Sequence, residues 1–251
     1  MQKSVQYFCG QCQKPLTEFM DIQGQQLPMW HCESCEKAPQ SEQIKQYRWA
    51  YRLYSFFYGP LAVLNMYIIW HGRLRPLLKW YLDTISMATQ GSLLDIAIGD
   101  GELTWFAGKK VLKNHRLIAL DLSREMLKKC VRCLKKAGSH EFILANVEKL
   151  PFPSNHLHSI ACFGGIHVFQ NRIKSLSEIA RVLQPGGLFR GSILTRPKSV
   201  LAQKICNYYV HLGLLGSSPS IAEIENDFLQ AGLKINKLQR NGFMLLFEAT
   251  K

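Results

Sequence analysis

Acidic side chains are in short supply: Asp and Glu total 18 against 31 Lys and Arg in 251 residues, a formal charge of +13. That surplus points to an anionic partner, whether nucleic acid, a membrane surface or an acidic substrate. It equally suits a protein whose surface is merely basic, and it carries no information about fold. Internal repeats and low-complexity segments are missing, while 47% of the residues are hydrophobic. Together these exclude a disordered tail and a collagen-like fibre. The opening run Met1-Gln2-Lys3-Ser4-Val5-Gln6 lacks the apolar core of a secretory signal. Eight cysteines are too few for a disulfide scaffold in a chain of this length. The expected setting is the reducing cytoplasm, where clustered cysteines hold metal more often than they pair. The length fits one large domain, or one domain with a small accessory module.

Four cysteines form two knuckles, Cys9-Gly10-Gln11-Cys12 and Cys32-Glu33-Ser34-Cys35, separated by 19 residues. Each C-x-x-C turn lets two thiolates grip one ion, and two such turns complete a tetrahedral site. A segment of this size cannot bury enough core to fold alone, so the metal supplies its folding energy. The expectation is a zinc ribbon over residues 1–40, with Cys9, Cys12, Cys32 and Cys35 holding a structural Zn2+. Four thiolates leave no open position for water, which excludes a catalytic zinc. His31, beside Cys32, is a weaker substitute ligand. Cys130 and Cys133 repeat the spacing, but in a helical stretch with no partner pair. With Cys162 and Cys206 they read as small core or near-surface residues.

Residues 41–90 form a connector. Helix is expected over residues 46–54. Residues 53–70 then carry no charge over 18 positions, the lower limit for a membrane span. Gly59-Pro60 and Asn65 interrupt that run and aromatics crowd it. Arg48 and Arg52 precede it, and Arg73 and Arg75 follow. An interfacial helix pair, a lid over an apolar substrate, and a helical cap packed on the main domain all fit better than a span.

From residue 91 the pattern becomes strand–helix alternation, the sign of an α/β fold with a Rossmann-like, doubly wound sheet over residues 91–251. A buried strand over 92–97 meets the tight turn Ile98-Gly99-Asp100-Gly101. A helix over 103–112 follows, then a strand from 116 ending at Asp121. Ser123 is placed to cap the next helix, whose outer face carries Arg124, Lys128, Arg132, Lys135 and Lys136 as a solvated stripe. Strands are expected over 159–163 and 188–194, with a helix near 173–183 closed by Pro185-Gly186-Gly187. Near the end, Ser220-Ile221-Ala222-Glu223 is a capping box, Gly232 stops its helix, and Asn241-Gly242 joins two antiparallel strands. Ligands bind beyond the carboxyl ends of such parallel strands. Gly99 and Gly101 let backbone approach a ligand, and Asp121, twenty residues after Gly101, can accept both hydroxyls of a ribose. That spacing fits any adenosine cofactor.

Three stretches in this order resemble class I S-adenosylmethionine-dependent methyltransferases, most of all the ubiquinone/menaquinone-biosynthesis C-methyltransferase type. They are Asp95-Ile96-Ala97-Ile98-Gly99-Asp100-Gly101, then Ala145-Asn146-Val147-Glu148 with Leu150-Pro151-Phe152-Pro153, and Arg181-Val182-Leu183 with Pro185-Gly186-Gly187. The resemblance implies S-adenosylmethionine as cofactor. It implies that Asp95 and the turn Ala97, Ile98, Gly99, Asp100 and Gly101 hold its methionine end, and that Asp121 takes the ribose. Leu122 and Met126 would flank the adenine, Asn146 and Val147 would meet its edge, and Phe163 and Gly164 would lie near the sulfonium. Asp100 stands where the family has a small hydroxyl residue, and the family's Tyr-Asp pair is absent, since Arg52 follows Tyr51 and Ser55 follows Tyr54. His167, on the loop after the fourth strand of this half, is the candidate catalytic base for an acceptor that must lose a proton; the other reading is that it only shapes the pocket.

Three functions fit. The first is methyl transfer to a small or lipid-like, quinone-type acceptor, by an enzyme that is cytoplasmic or peripheral at the inner membrane face. The second is a zinc-ribbon rRNA methyltransferase, with RNA as partner. Against it, residues 1–90 carry 9 basic and 6 acidic side chains, no dense basic clamp. The third is a non-catalytic adaptor that retains the fold.

Overall fold

The computed structural model describes residues 7–20, 26–37, 64, 66–68, 71–88, 92–112, 115–134, 137–138, 140–211, 215–216 and 218–251. The helix expected over 46–54 and most of the uncharged run 53–70 lie outside them. The chain opens with β1 (Thr17–Met20), β2 (Gln26–His31) and the short α1 (Glu33–Lys37). Helix α2 (Leu74–Ser86) leads into β3 (Ser92–Ile96), α3 (Glu102–Leu112), β4 (Arg116–Asp121), α4 (Arg124–Leu134) and β5 (His140–Leu144). Then come β6 (Leu157–Phe163), α5 (Arg172–Val182), β7 (Leu183–Leu194), α6 (Val200–His211), α7 (Ile221–Gln230), β8 (Lys234–Asn241) and β9 (Met244–Thr250).

The strands make one sheet in the order β1-β2-β5-β4-β3-β6-β7-β9-β8. The run β5-β4-β3-β6-β7 is parallel, and β9 and β8 add antiparallel to it. Parallel strands are covered on both faces and read as continuous apolar runs; β3 and β4 are buried along almost their whole length. The chain leaves β3 towards β4 and β5, then returns to build β6 and β7 on the other side. This reversal between β3 and β6 is the crevice where open sheets bind ligands.

The cysteine-bearing hairpin β1–β2 continues the same sheet. β2 pairs parallel with β5 through Met29↔Phe142 and Trp30↔Ile143, covering an edge that would otherwise be bare. Tyr7, Cys9, Leu16 and Cys32 share a core cluster with Ile143, Val147, Leu150 and Phe152.

Helix α4 shows why its sequence is patterned as it is. Met126, Leu127, Cys130, Val131 and Leu134 are buried at the three-to-four spacing of one helical face. Its first turn is capped by Ser123, whose Oγ accepts from Met126 N at 3.3 Å. Gly101 must be glycine for two reasons. Its φ is +78°, and a Cβ there would lie 2.9 Å from Cys130 Sγ.

One boundary differs from the sequence reading. The Pro185-Gly186-Gly187 turn lies inside β7 instead of ahead of it. Leu183 already pairs with Leu157, residues 184–187 bulge out, and pairing resumes at Ser159↔Leu188. Pro185 has no N–H for the ladder and Gly186 sits at φ +73°, so the strand steps over them. In α2, Leu77, Trp80, Tyr81, Thr84 and Ile85 pack inward. Among the described residues no helix is long and apolar enough to cross a membrane.

Candidate functional site

A cleft of about 950 Å³, open mouth included, lies over the ends of β3, β4 and β6. Eight of the residues singled out from the sequence line it: Ala97, Gly99, Asp121, Leu122, Met126, Asn146, Val147 and Gly164. Ser123, Glu148, Phe169 and Gln170 line it as well. Asp95, Ile98, Asp100, Gly101, Phe163 and His167 do not line it. They lie behind or beside it.

Asp121 is the electrostatic centre of the cleft. It is 9% exposed. Its Oδ2 accepts from Gly99 N at 2.9 Å and its Oδ1 from Ser123 N at 2.8 Å. Burial pushes its pKa up to about 6 against the pull of these amides. Each carboxylate oxygen has a second lone pair, so two acceptor sites remain. The same bonds tie the β3 turn to the end of β4 and fix the cleft's width.

Asp95 supports this turn from below. It is 2% exposed and accepts from the Tyr81 hydroxyl, which also meets Thr104 Oγ1 at 2.8 Å. Burial first, then the charge of Asp121, raise the Asp95 pKa to about 7; the Tyr81 bond opposes them. The Tyr81 ring stands edge-on to Phe163 with centroids 4.7 Å apart. Sequence reasoning missed Tyr81 and Thr104. The available signal was the inward stripe of α2, because a buried phenol requires a polar partner.

Asp100 turns away from the cleft. Its Oδ1 accepts from Glu102 N at 3.2 Å, opening α3. Asn146 likewise spends its Oδ1 on Glu148 N at 2.9 Å, capping a single 3-10 turn over Val147–Lys149. Glu148 is paired with Lys174 at 3.1 Å. Beyond this turn, Arg181 donates to the carbonyls of Leu150 and Phe152, while its partner Glu178 accepts from Leu150 N at 2.8 Å. That clamp explains why the Arg and the Leu-Pro-Phe-Pro run occur together. Replacing Arg181 by Ala strands two carbonyls and Glu178, so a loss of about 1–3 kcal/mol is expected from the denaturant midpoint.

His167 sits on the 3-10 turn Ile166–Val168, 8% exposed, with no partner for Nδ1. Burial lowers its pKa to about 4, so the ring is neutral at pH 7.

Charge decides which adenosine cofactor fits. Among the described residues no Lys, Arg or His lines the cleft, although the chain carries a net +13. Asp100 and Glu102 stand at the N-terminus of α3, where a pyrophosphate would need to dock. The charged side chains among the described lining residues are Asp121 and Glu148, which repel a phosphate. A cofactor bearing an ammonium and a sulfonium meets a favourable field, and S-adenosylmethionine fits the residues present.

The cysteine cluster also fits its ion. The four Sγ atoms lie within 4.8 Å of one another, with Cys9–Cys35 and Cys12–Cys32 each at 3.5 Å. Zinc at about 2.3 Å from each sulfur places them roughly 3.8 Å apart. Gln11 N points at Cys9 Sγ from 3.4 Å, as a thiolate requires. His31 is buried at the end of β2 and is not part of the cluster. Cys130, Cys162 and Cys206 are buried and Cys133 half-buried, none in such a group.

A family model described as a methyltransferase domain matches residues 93–187. The chain is 33% identical over 120 residues to the ubiquinone/menaquinone biosynthesis C-methyltransferase of Wigglesworthia glossinidia brevipalpis, covering 47% of this chain and 48% of that one. It is 32% identical over 134 residues to the protein of that name from Pseudomonas fluorescens, covering 52% of each. The chain thus spans about half the length of the curated relatives it matches. A SAM-dependent methyltransferase from Aquifex aeolicus superposes with a TM-score of 0.55 at 17% identity, over 74% of this chain and 92% of that one. The methyltransferase solved with the Haloferax volcanii Trm112 methyltransferase activator gives 0.57 at 17% identity, over 85% and 99%. At such identities the likeness speaks to the fold alone. Residues 93–187 thus match a methyltransferase-domain family, and the lining of the cleft lies within that segment.

Proposed function

We propose that this protein transfers a methyl group from S-adenosylmethionine to a small or lipid-like acceptor of the quinone type, working in the cytoplasm or at the inner membrane face. The observation that carries the proposal is the cleft at the sheet's reversal, lined by Asp121 and Glu148 and, among the described residues, by no basic side chain. The acceptor class rests on the name of the relatives and on the uncharged run 53–70 that precedes the domain in sequence. When bound, the cofactor supplies an activated methyl group, which passes in line to the acceptor as the acceptor loses a proton.

The chain's own residues bind, orient and exclude water. Asp121 accepts the ribose hydroxyls on its two remaining lone pairs. Ala97 and Gly99 hold the methionine end, the rest of the turn Ile98, Asp100 and Gly101 shaping it from outside the cleft, with Asp95 as the buried charge behind them. Leu122 and Met126 sandwich the adenine, and Asn146 and the Val147 backbone meet its edge. Gly164 borders the sulfonium, and Phe163 supports it from behind through its packing on Tyr81. His167 is the candidate proton acceptor: neutral at pH 7, and one residue before Val168, which lines the cleft. His167→Asn is expected to lower turnover while leaving cofactor affinity unchanged. Unchanged turnover would make it a packing residue.

Affinity for the cationic cofactor depends on pH with a definite sign. In the free protein Asp95 and Asp121 take up protons as pH falls through about 7 and about 6. A cation favours the ionised forms, so each proton must be displaced on binding. Affinity is expected to be highest near pH 8 and about a thousandfold weaker by pH 5, about 100-fold of it from Asp95 and about tenfold from Asp121, the latter part being lost in Asp121→Asn. Calorimetric titrations across this range measure it.

The rRNA reading finds less support in the ribbon. Residues 7–37 hold two Lys and four Asp or Glu, and their apolar side faces the domain's own core. The test is a purified assay offering a demethylated hydroquinone and, separately, an rRNA transcript. Addition of one methyl to the hydroquinone supports the proposal. Methylation of the transcript alone overturns the acceptor class.

A further inference from the structure

We propose that the domain seats on the surface of an anionic lipid bilayer through two neighbouring apolar faces, one on residues 64–68 and one on α6. The proposal rests on the lipid-like acceptor reading only for its purpose; the surface itself stands on separate observations.

The first face is Leu64, Tyr67 and Ile68, which are 52%, 49% and 62% exposed while Met66 is buried. Positions 64, 67 and 68 follow the one-sided spacing of a helix, so this segment turns its larger apolar side outward. The second face is on α6. Val200, Leu201 and Tyr208 are 70%, 69% and 60% exposed, while Ala202 and Cys206 point inward. Lys204 stands between Leu201 and Tyr208 on the same outward side.

The two faces are joined. Met66, Ala202 and Cys206 share one core cluster with Leu194 and Met244. That cluster lies at the end of the sheet where the cofactor cleft opens. Leu194 is the last residue of β7 and pairs with Met244. α2 runs down to the start of β3, so its N-terminal end lies at the cleft end of the sheet, and Met66, whose carbonyl accepts from Gly72 N at 2.8 Å, lies beside it. Arg73 is fixed there by Asn241, through bonds of 2.8 Å in both directions.

Charge selects the occupant. Residues 66–68 and 71–82 carry Arg73, Arg75 and Lys79 and no acid, and α6 with its lead-in carries Arg196, Lys198 and Lys204, with Glu223 beside it tied to Arg196 at 3.6 Å. Arg73, Arg75, Lys79, Lys198 and Lys204 are exposed around the apolar stripes. Exposed apolar faces flanked by these five cations, with Glu223 already paired to Arg196, match an anionic headgroup layer over acyl chains. A second copy of the same face would oppose like charges. The arrangement brings the cleft's mouth to an acceptor that lives in the bilayer.

The test is flotation of the full chain with vesicles of phosphatidylcholine containing about 30 mol% phosphatidylglycerol, and with pure phosphatidylcholine. Binding is expected to the anionic vesicles and to fade with salt. The variants Ile68→Asp and Leu201→Asp should each weaken it about tenfold, with unchanged circular dichroism and unchanged S-adenosylmethionine affinity. No flotation, or flotation that these variants leave intact, overturns the proposal, as does a dimer that dissociates in Leu201→Asp. A water-soluble short-chain acceptor separates the two readings. If it is methylated while flotation fails, the surface is wrong and the activity stands. If flotation holds and no acceptor is methylated, the activity is wrong and the surface stands.

Discussion

Asp121→Ala is expected to weaken S-adenosylmethionine binding about 100-fold. The carboxylate offers two charge-assisted bonds to the ribose, and such bonds are worth about 1.5–3 kcal/mol each. The substitution also strands Gly99 N and Ser123 N, whose bonds now hold the turn against the end of β4. Asp121→Asn keeps the shape and one acceptor, so an intermediate loss of about tenfold is expected. Calorimetric titration of the three proteins measures both effects. Equal affinity in all three would mean that the ribose lies elsewhere.

Removing the metal is expected to reach the cleft as well as the ribbon. The Cys9–Cys12 knuckle rests on the 3-10 turn Val147–Lys149 at the rim of the cleft: a Cβ on Gly10 would lie 2.3 Å from the carbonyl oxygen of Lys149. Tyr7 stands edge-on to Phe152 with centroids 5.6 Å apart. Lys149 ends the turn that starts with Val147, a lining residue. Structural zinc contributes about 10–16 kcal/mol of apparent folding energy in small modules. Chelation should therefore release the hairpin, bare the β5 edge and loosen Val147 and Leu150. The expected result is a clear fall in melting temperature and a cofactor affinity about tenfold weaker. Gly10→Val separates packing from coordination. It should keep one zinc per chain by elemental analysis and still weaken the cofactor, because the added side chain pushes the knuckle off Lys149. Metal-free protein that binds S-adenosylmethionine as tightly as the loaded form would show that the ribbon and the cleft act independently.

Much of this site was legible because its signals are local. The C-x-x-C pairs, the Gly99–Gly101 turn, Asp121 after a buried strand and the Ser220 capping box each specify their geometry within a few residues. What escaped was long-range or directional. Nothing in the alternation of β2 names a parallel partner more than a hundred residues away, so the ribbon read as a separate module although it extends the sheet. Asp100 occupied a ligand position in the motif, yet a short carboxylate competes for nearby amides, and Glu102 N captured it. Phe163 and Gly164 are neighbours in sequence but point to opposite sides of the strand end; Gly164 lines the cleft and Phe163 packs on Tyr81. His167 lay on the expected loop, but no residue pattern told which way its ring would turn. Tyr81 was hidden because its partner Asp95 belongs to another element.

The central claim is that the acidic cleft holds S-adenosylmethionine for methyl transfer. Its most direct test is methyl-labelled S-adenosylmethionine incubated with the purified protein and cell extract, then fractionated into lipid, RNA, protein and small metabolites, with Asp121→Ala alongside. The account predicts label in the organic phase that depends on Asp121. Label in RNA would contradict the acceptor, and a protein that neither transfers label nor binds the cofactor would contradict the claim itself.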